Sequence, residues 1–256
     1  MKYAKFIFLV LVLFGLFSQK PPVDINLKES FCTYSLAHPM GCDRVGRDVF
    51  GLFAYGSLLT ILIAIPTKVI ALLVSLVFCL ISYVFKGIVA ELINSLSAVF
   101  LSIPSLLIAL VVIFTSEKGL LVFILSITLS EWANSYEILF TKIREVKDSG
   151  YATISKIFGA GEVYVFRNHI LPEIYPLLLV LFLTGIPAVI MTLSIFSYLG
   201  IDFGSEYFGP GLGEQISFSK DYFHRSPLSV LAPILGIFLV VNLFYTGEKK
   251  TKGIPG

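Results

Sequence analysis

Residues 148–172 read DSGYATISKIFGAGEVYVFRNHILP, the longest polar interruption in an otherwise lipid-compatible chain. On a 3.6-residue period, Tyr151, Ile154, Ile157 and Phe158 share one face, with Ser149, Thr153 and Lys156 opposite. Gly159 and Gly161 stop this helix, because glycine takes the left-handed C-cap conformation without a Cβ penalty. A second short segment, residues 162–168, leads to His169-Ile170-Leu171-Pro172. Pro172 suits the first turn of a new helix, and Glu173 complements that helix's positive end. The stretch predicts a short amphipathic helix held in water between two membrane spans. The plainer reading is an ordinary surface helix in a loop.

Composition sets the class around that stretch. The chain of 256 residues is 56% hydrophobic and 14% charged, with mean hydropathy +0.89. Such a chain is a polytopic all-α membrane protein rather than a soluble domain. A net charge of +2 with no dense basic patch gives no footprint for nucleic acid. Cys32, Cys42 and Cys79 lack CxxC spacing and do not make a disulfide framework; Cys79 falls in a span, and nothing in the sequence supports a Cys32–Cys42 bridge outside, though the positions leave it open.

Six apolar runs follow in order. Residues 1–19 carry Lys2 and Lys5 ahead of an apolar stretch, read as a short first span, with a signal peptide as the lesser reading. Leu58 to Phe85 is longer than one span needs and contains Pro66 and Lys68. Either Pro66 divides it, or it is one kinked helix. Ser97 to Phe114, Leu120 to Phe140, Ile174 to Gly200 and Leu228 to Tyr245 complete the set. The expected divisions are residues 1–50, a core 51–247 containing the loop 141–172, and a basic tail 248–256.

Three motifs carry a resemblance. His38 to Val49 read HPMGCDRVGRDV, Ser102-Ile103-Pro104-Ser105 sits inside the third run, and Phe196 to Gly200 read FSYLG. Together with the stretch 148–172, they resemble the permeases of binding-protein-dependent ABC importers, in the dipeptide, oligopeptide and nickel branch. The match is uneven, since that family carries Glu-Ala-Ala where this chain has Thr153-Ile154-Ser155, and an Arg/Asp pair where it has Ser95 and Ala98. The resemblance implies six transmembrane helices and a cytoplasmic coupling helix in which Tyr151, Ile154, Ile157, Phe158, Gly159 and Gly161 meet an ATPase. It implies as partners a second homologous permease, two P-loop ATPase subunits and an extracytoplasmic solute-binding protein. It also favours one continuous helix through Pro66.

Orientation follows from counting. With both termini, Lys86 and the coupling loop in the cytoplasm, eleven basic residues lie inside and seven outside, in keeping with the positive-inside bias. The expected location is a prokaryotic inner membrane, with the chain among membrane lipid. No Gly-Lys pair exists to build a phosphate-binding loop, so ATP would be used by partner subunits and no cofactor is expected here. No nucleophile–base or paired-carboxylate motif appears, and the expected role is transport without catalysis.

Lys68 is the candidate pathway residue. A lysine deep in a span must line a wet cavity or pair with a carboxylate such as Glu131 or Glu137. The plainer expectation is that Pro66 breaks the helix and Lys68 snorkels to the outer surface. An ion-coupled secondary transporter is the alternative function; it would use Lys68, Glu131 and Glu137, but no internal repeat accompanies them. Asp43, Arg44, Arg47 and Asp48 are expected to hold a tight outer turn, with His38 as a hydrogen-bonding member of it rather than a metal ligand.

Overall fold

The computed structural model describes residues 2–116, 119–149, 154–155, 157–201 and 205–244. Its principal helices are α1 (Lys2–Ser18), α2 (Val49–Phe85), α3 (Gly87–Ser102), α4 (Ser105–Thr115) and α5 (Leu120–Lys147), followed by α6 (Glu162–Tyr198), α7 (Leu212–Ser219) and α8 (Leu228–Phe244). Among the described residues no strand forms; one isolated antiparallel bridge joins Cys42 and Asp48. Two helices, α2 and α6, are long and apolar enough to cross a membrane, and the bent pair α3–α4 adds a third when counted as one span.

Pro66 does not divide α2, which runs unbroken for 37 residues. Thr67 helps this turn by donating its hydroxyl to the Ile63 carbonyl at 2.7 Å. Asp48 caps the helix start, accepting from the Gly51 amide at 2.6 Å. At its far end Lys86 and Gly87 both take positive φ, and the chain turns at once into α3.

The third run differs from expectation. Its helix begins at Gly87 rather than Ser97, and it does not merely kink at Pro104: α3 and α4 meet at 92°. The residue before a proline is pushed out of the helical region, and Ile103 accordingly sits at φ −106°, ψ 132°. The segment expected as the fourth span lies in α5, which is too polar to be counted with α2 and α6. Its serines and Trp132 are buried against neighbouring helices instead of facing lipid. α6 also departs from expectation, since no new helix starts at Pro172. The rod is continuous from Glu162, with a π turn over Phe166–Ile170 directly before the proline. A widened turn there accommodates the missing N–H.

The buried apolar residues form two clusters. One joins α1, the first half of α2, the start of α5, the end of α6, and α8, through Phe53, Ile63, Phe123, Ile190 and Phe196. The other joins the second half of α2 to α3, the rest of α5 and the start of α6, through Tyr83, Trp132, Tyr136 and Ile170. On α2 the buried members of the first cluster stop at Ala64 and those of the second begin at Cys79. On α5 the corresponding limits are Ile127 and Trp132. Lys68 and Glu131 fall in that gap.

Candidate functional site

Three places hold the polar chemistry of the molecule: the segment before α6, a charged node between the two apolar clusters, and the folded loop ahead of α2.

In the first, Ile154, Ile157 and Phe158 are 54%, 76% and 86% exposed. Val163 and Tyr164 on the first turn of α6 are exposed as well. Gly159 takes φ +85° with open space around it, as a left-handed stop requires. Gly161 does not share that role: at φ −68°, ψ 157° it is the extended N-cap of α6. Ser155 and His169 hydrogen-bond through Oγ and Nε2 at 2.9 Å, folding the segment back onto the π turn. An open pocket of about 580 Å³ lies among Ile154, Phe158, Gly159, Tyr164 and His169. Tyr151, the remaining residue expected on this face, lies outside the described residues, as do the 117–118 part of the outer loop and the tail 248–256.

This segment is tied to the bundle. Lys86, in the α2–α3 turn, forms an ion pair with Glu162 at the start of α6. Behind it, Val165, Phe166 and Ile170 are buried against α2 and α5. A displacement of residues 154–164 therefore reaches two long helices through one charged and one apolar contact.

In the node, Lys68 is 2% exposed, near the middle of α2. The snorkelling expectation fails because α2 continues straight through Pro66 and carries the lysine inward. Its ammonium lies 3.8 Å from a Glu131 carboxylate oxygen and donates to Ser135 Oγ at 3.4 Å. Gly185 of α6 leaves the room for this side chain. Glu137, the other carboxylate considered for Lys68, is exposed and instead accepts from Ser97 Oγ at 3.5 Å.

A polar seam continues from the node along α2 and α5. Ser75 donates to the Trp132 carbonyl at 2.8 Å, and Ser82 meets the Tyr136 hydroxyl at 2.9 Å. Tyr136 donates in turn to Asn94 Oδ1 at 2.7 Å, bringing α3 into the network. Small residues at 71, 75, 79 and 82 let the helices approach, and the Ser75 and Ser82 hydroxyls find partners on α5, away from lipid. That spacing was the available sequence signal, hidden in a run that reads as uniformly apolar.

The loop ahead of α2 is closed by a disulfide between Cys32 and Cys42. Asp43, 1% exposed, accepts from the amides of Val45 and Arg47 and forms an ion pair with the Arg47 guanidinium at 2.8 Å. His38 Nδ1 lies 2.9 Å from Asp48 Oδ2, so it braces the helix cap. Arg44 stacks over the Phe218 ring at 3.6 Å, pinning the loop to the last turn of α7. No sequence pattern pointed to Gln215, whose amide donates to the carbonyls of Leu52 and Pro210 at 2.7 and 2.8 Å.

Against known proteins, residues 78–247 match the family described as binding-protein-dependent transport system inner membrane component. The chain belongs to that family. The matched region starts within the second half of α2 and takes in the Ser82–Tyr136–Asn94 part of the polar seam, the segment before α6, and α8. The oligopeptide transport system permease protein OppC of Bacillus subtilis (strain 168) is 27% identical over 195 residues, covering 76% of this chain and 64% of its own length. The nickel transport system permease protein NikC of Escherichia coli (strain K12) is 24% identical over 223 residues, covering 87% and 80% respectively. The fold is similar to that of the MetNI methionine ABC transporter in its inward-facing conformations. There the TM-score is 0.61 at 18% identity, over 75% of this chain and 91% of that one. This likeness concerns the fold alone.

Proposed function

We propose that the chain is the permease subunit of an ABC importer, lying in a prokaryotic inner membrane with both termini in the cytoplasm. In this reading it lines a solute pathway together with a second, homologous permease. Two P-loop ATPase subunits dock on the exposed face formed by Ile154, Ile157 and Phe158, and a solute-binding protein delivers cargo from outside. The observation that carries it is this apolar, solvent-facing segment joined to α2 and α6 within a chain of this family. An ATPase that closes on nucleotide moves such a segment as a rigid body, and the Lys86–Glu162 contact passes the motion to the long helices.

The cargo class most consistent with the relatives is a peptide, since OppC is named for oligopeptide transport; NikC, named for nickel, marks the competing choice. The disulfide supports an extracytoplasmic place for residues 20–48, because disulfides persist in oxidising compartments. An ion-coupled transporter is the weaker reading, since Lys68 is enclosed by protein and paired.

The test is reconstitution with the neighbouring ATPase, partner permease and binding protein, with Ile157→Asp in parallel. The expected result is ATP-dependent uptake of radiolabelled peptide by the wild type and loss of ATPase co-purification in the variant. Uptake driven by a proton or sodium gradient without ATP would overturn the reading.

A further inference from the structure

We propose that the cavity at the corner of α2, α3 and α5 binds the phosphate headgroup of an anionic phospholipid. The cavity measures about 170 Å³ and has Lys86, Arg144 and Lys147 in its lining. Ser82, Phe140 and Ile143 form further parts of the wall, and among the described residues no carboxylate lines it. Basic pockets between membrane helices near the headgroup level suit phosphate groups, since each cation adds attraction in a partly dehydrated place. The three cations converge because α2 ends in the Lys86–Gly87 turn just where α5 leaves its apolar part and enters the sequence Thr141 to Lys147.

Their charges are not all spent on the protein. Lys86 faces Glu162, but Arg144 and Lys147 make no ion pair among the described residues. Arg144 rests on the Phe140 ring at 4.5 Å, which holds the guanidinium over the apolar edge of the cavity. The carboxylate of Glu145 on the same turn is engaged by Lys142 at 2.7 Å.

What distinguishes a lipid from a free anion is the surface beside the cavity. Phe85, Ile88 and Leu92, at the end of α2 and on the first turns of α3, are 67%, 76% and 65% exposed. They offer an apolar bed for acyl chains next to a cationic hole for a phosphate. A soluble partner would have to cover this bed with a matching apolar surface, whereas a lipid covers it as part of the bilayer.

The test uses the full chain in nanodiscs and native mass spectrometry of lipid adducts, with phosphatidylglycerol against phosphatidylcholine. The variants are Arg144→Gln/Lys147→Gln, with Lys142→Gln as a control on the same helix. Phosphatidylglycerol should be retained selectively, and the double variant should bind it roughly 30-fold less well, at about fivefold for each cation removed. Lys142→Gln should behave as wild type, and thermal unfolding of the variants should show that both are folded. Equal retention of the two lipids, or undiminished selectivity in the folded double variant, overturns the proposal. So does inorganic phosphate stabilising the chain as much as phosphatidylglycerol does, which would make this a free-anion site. If the double variant keeps its lipid and instead releases the ATPase subunits, the cavity belongs to a protein interface and the proposal fails.

Discussion

Gly185 and Lys68 are matched in shape: a β-carbon on Gly185 would lie 2.1 Å from Lys68 Cε and 2.5 Å from its ammonium nitrogen. The glycine on α6 is the hollow into which the lysine of α2 is packed. Gly185→Ala should therefore push the flexible end of Lys68 away from Glu131 and Ser135, destabilising the fold by about 1 kcal/mol, the low end of the overpacking range. In a Lys68→Ala background the same change should cost almost nothing, because the colliding atoms are gone. Thermal unfolding of both singles and the double in detergent measures this coupling. Additive losses would mean that the two side chains do not share the space.

The Lys68–Glu131 pair makes a second, electrostatic prediction. Glu131→Leu should cost about 3–5 kcal/mol, since it leaves a buried ammonium with Ser135 as its hydrogen-bond partner among the described residues. Lys68→Leu/Glu131→Leu should recover most of that loss, because replacing both charges with apolar groups is often close to neutral. If the double variant is stable yet transports poorly, the node matters for motion between states rather than for folding. If it is stable and transports normally, the pair serves packing alone.

Why the node was only half legible follows from what a sequence encodes. Lys68 stands out in an apolar run, and its depth narrows the choice to a wet cavity or a carboxylate partner. Choosing Glu131 over Glu137 depends on the rotational setting of α5 against α2, which no local pattern specifies. The continuity of α2 through Pro66 likewise comes from packing on both sides of the proline, which overrides its local penalty. The motif HPMGCDRVGRDV showed a turn, and its members do form one. Its anchoring by Arg44 on Phe218 joins residues too distant in the chain for any spacing rule. The π turn at Phe166–Ile170 was invisible for the same reason, since His-Ile-Leu-Pro reads equally well as the start of a helix.

Arg47 supplies a third prediction. An exposed pair contributes only about 0–1 kcal/mol, but Asp43 is fully enclosed. Arg47→Ala leaves its carboxylate with backbone amides alone, and a loss of about 3–5 kcal/mol is expected. The cargo profile of the reconstituted transporter should be unchanged. A shifted profile at wild-type melting temperature would transfer this residue from the scaffold to the pathway.

Reducing the disulfide should loosen the same loop. For a bridge with a sequence separation of 10, chain entropy alone predicts a contribution of about 2–4 kcal/mol. Cys32→Ser/Cys42→Ser should lower the unfolding temperature and expose the loop to limited proteolysis near residues 34–37. Cys79, buried in α2, should remain unlabelled by an impermeant maleimide in both proteins. Labelling of wild-type Cys32 or Cys42 without reductant would show that the bridge does not form.

The two glycines of the segment before α6 should behave in opposite ways. Neither has an atom near enough to obstruct a β-carbon, so sterics with neighbours cannot separate them. Backbone conformation can. Gly159 sits at φ +85°, where an L-residue costs about 1–2 kcal/mol, while Gly161 at φ −68° is open to any side chain. Gly159→Val should thus misdirect Ile157 and Phe158 and abolish ATP-coupled uptake, while the membrane helices, which do not touch it, keep their unfolding temperature. Gly161→Ala should transport as wild type. Ile154→Asp should uncouple without any backbone change, by placing a charge where the partner would have to desolvate it. Uptake assays on the three variants, with ATPase co-purification alongside, decide the matter. If Gly161→Ala is as damaging as Gly159→Val, contact with the partner rather than chain direction governs this segment.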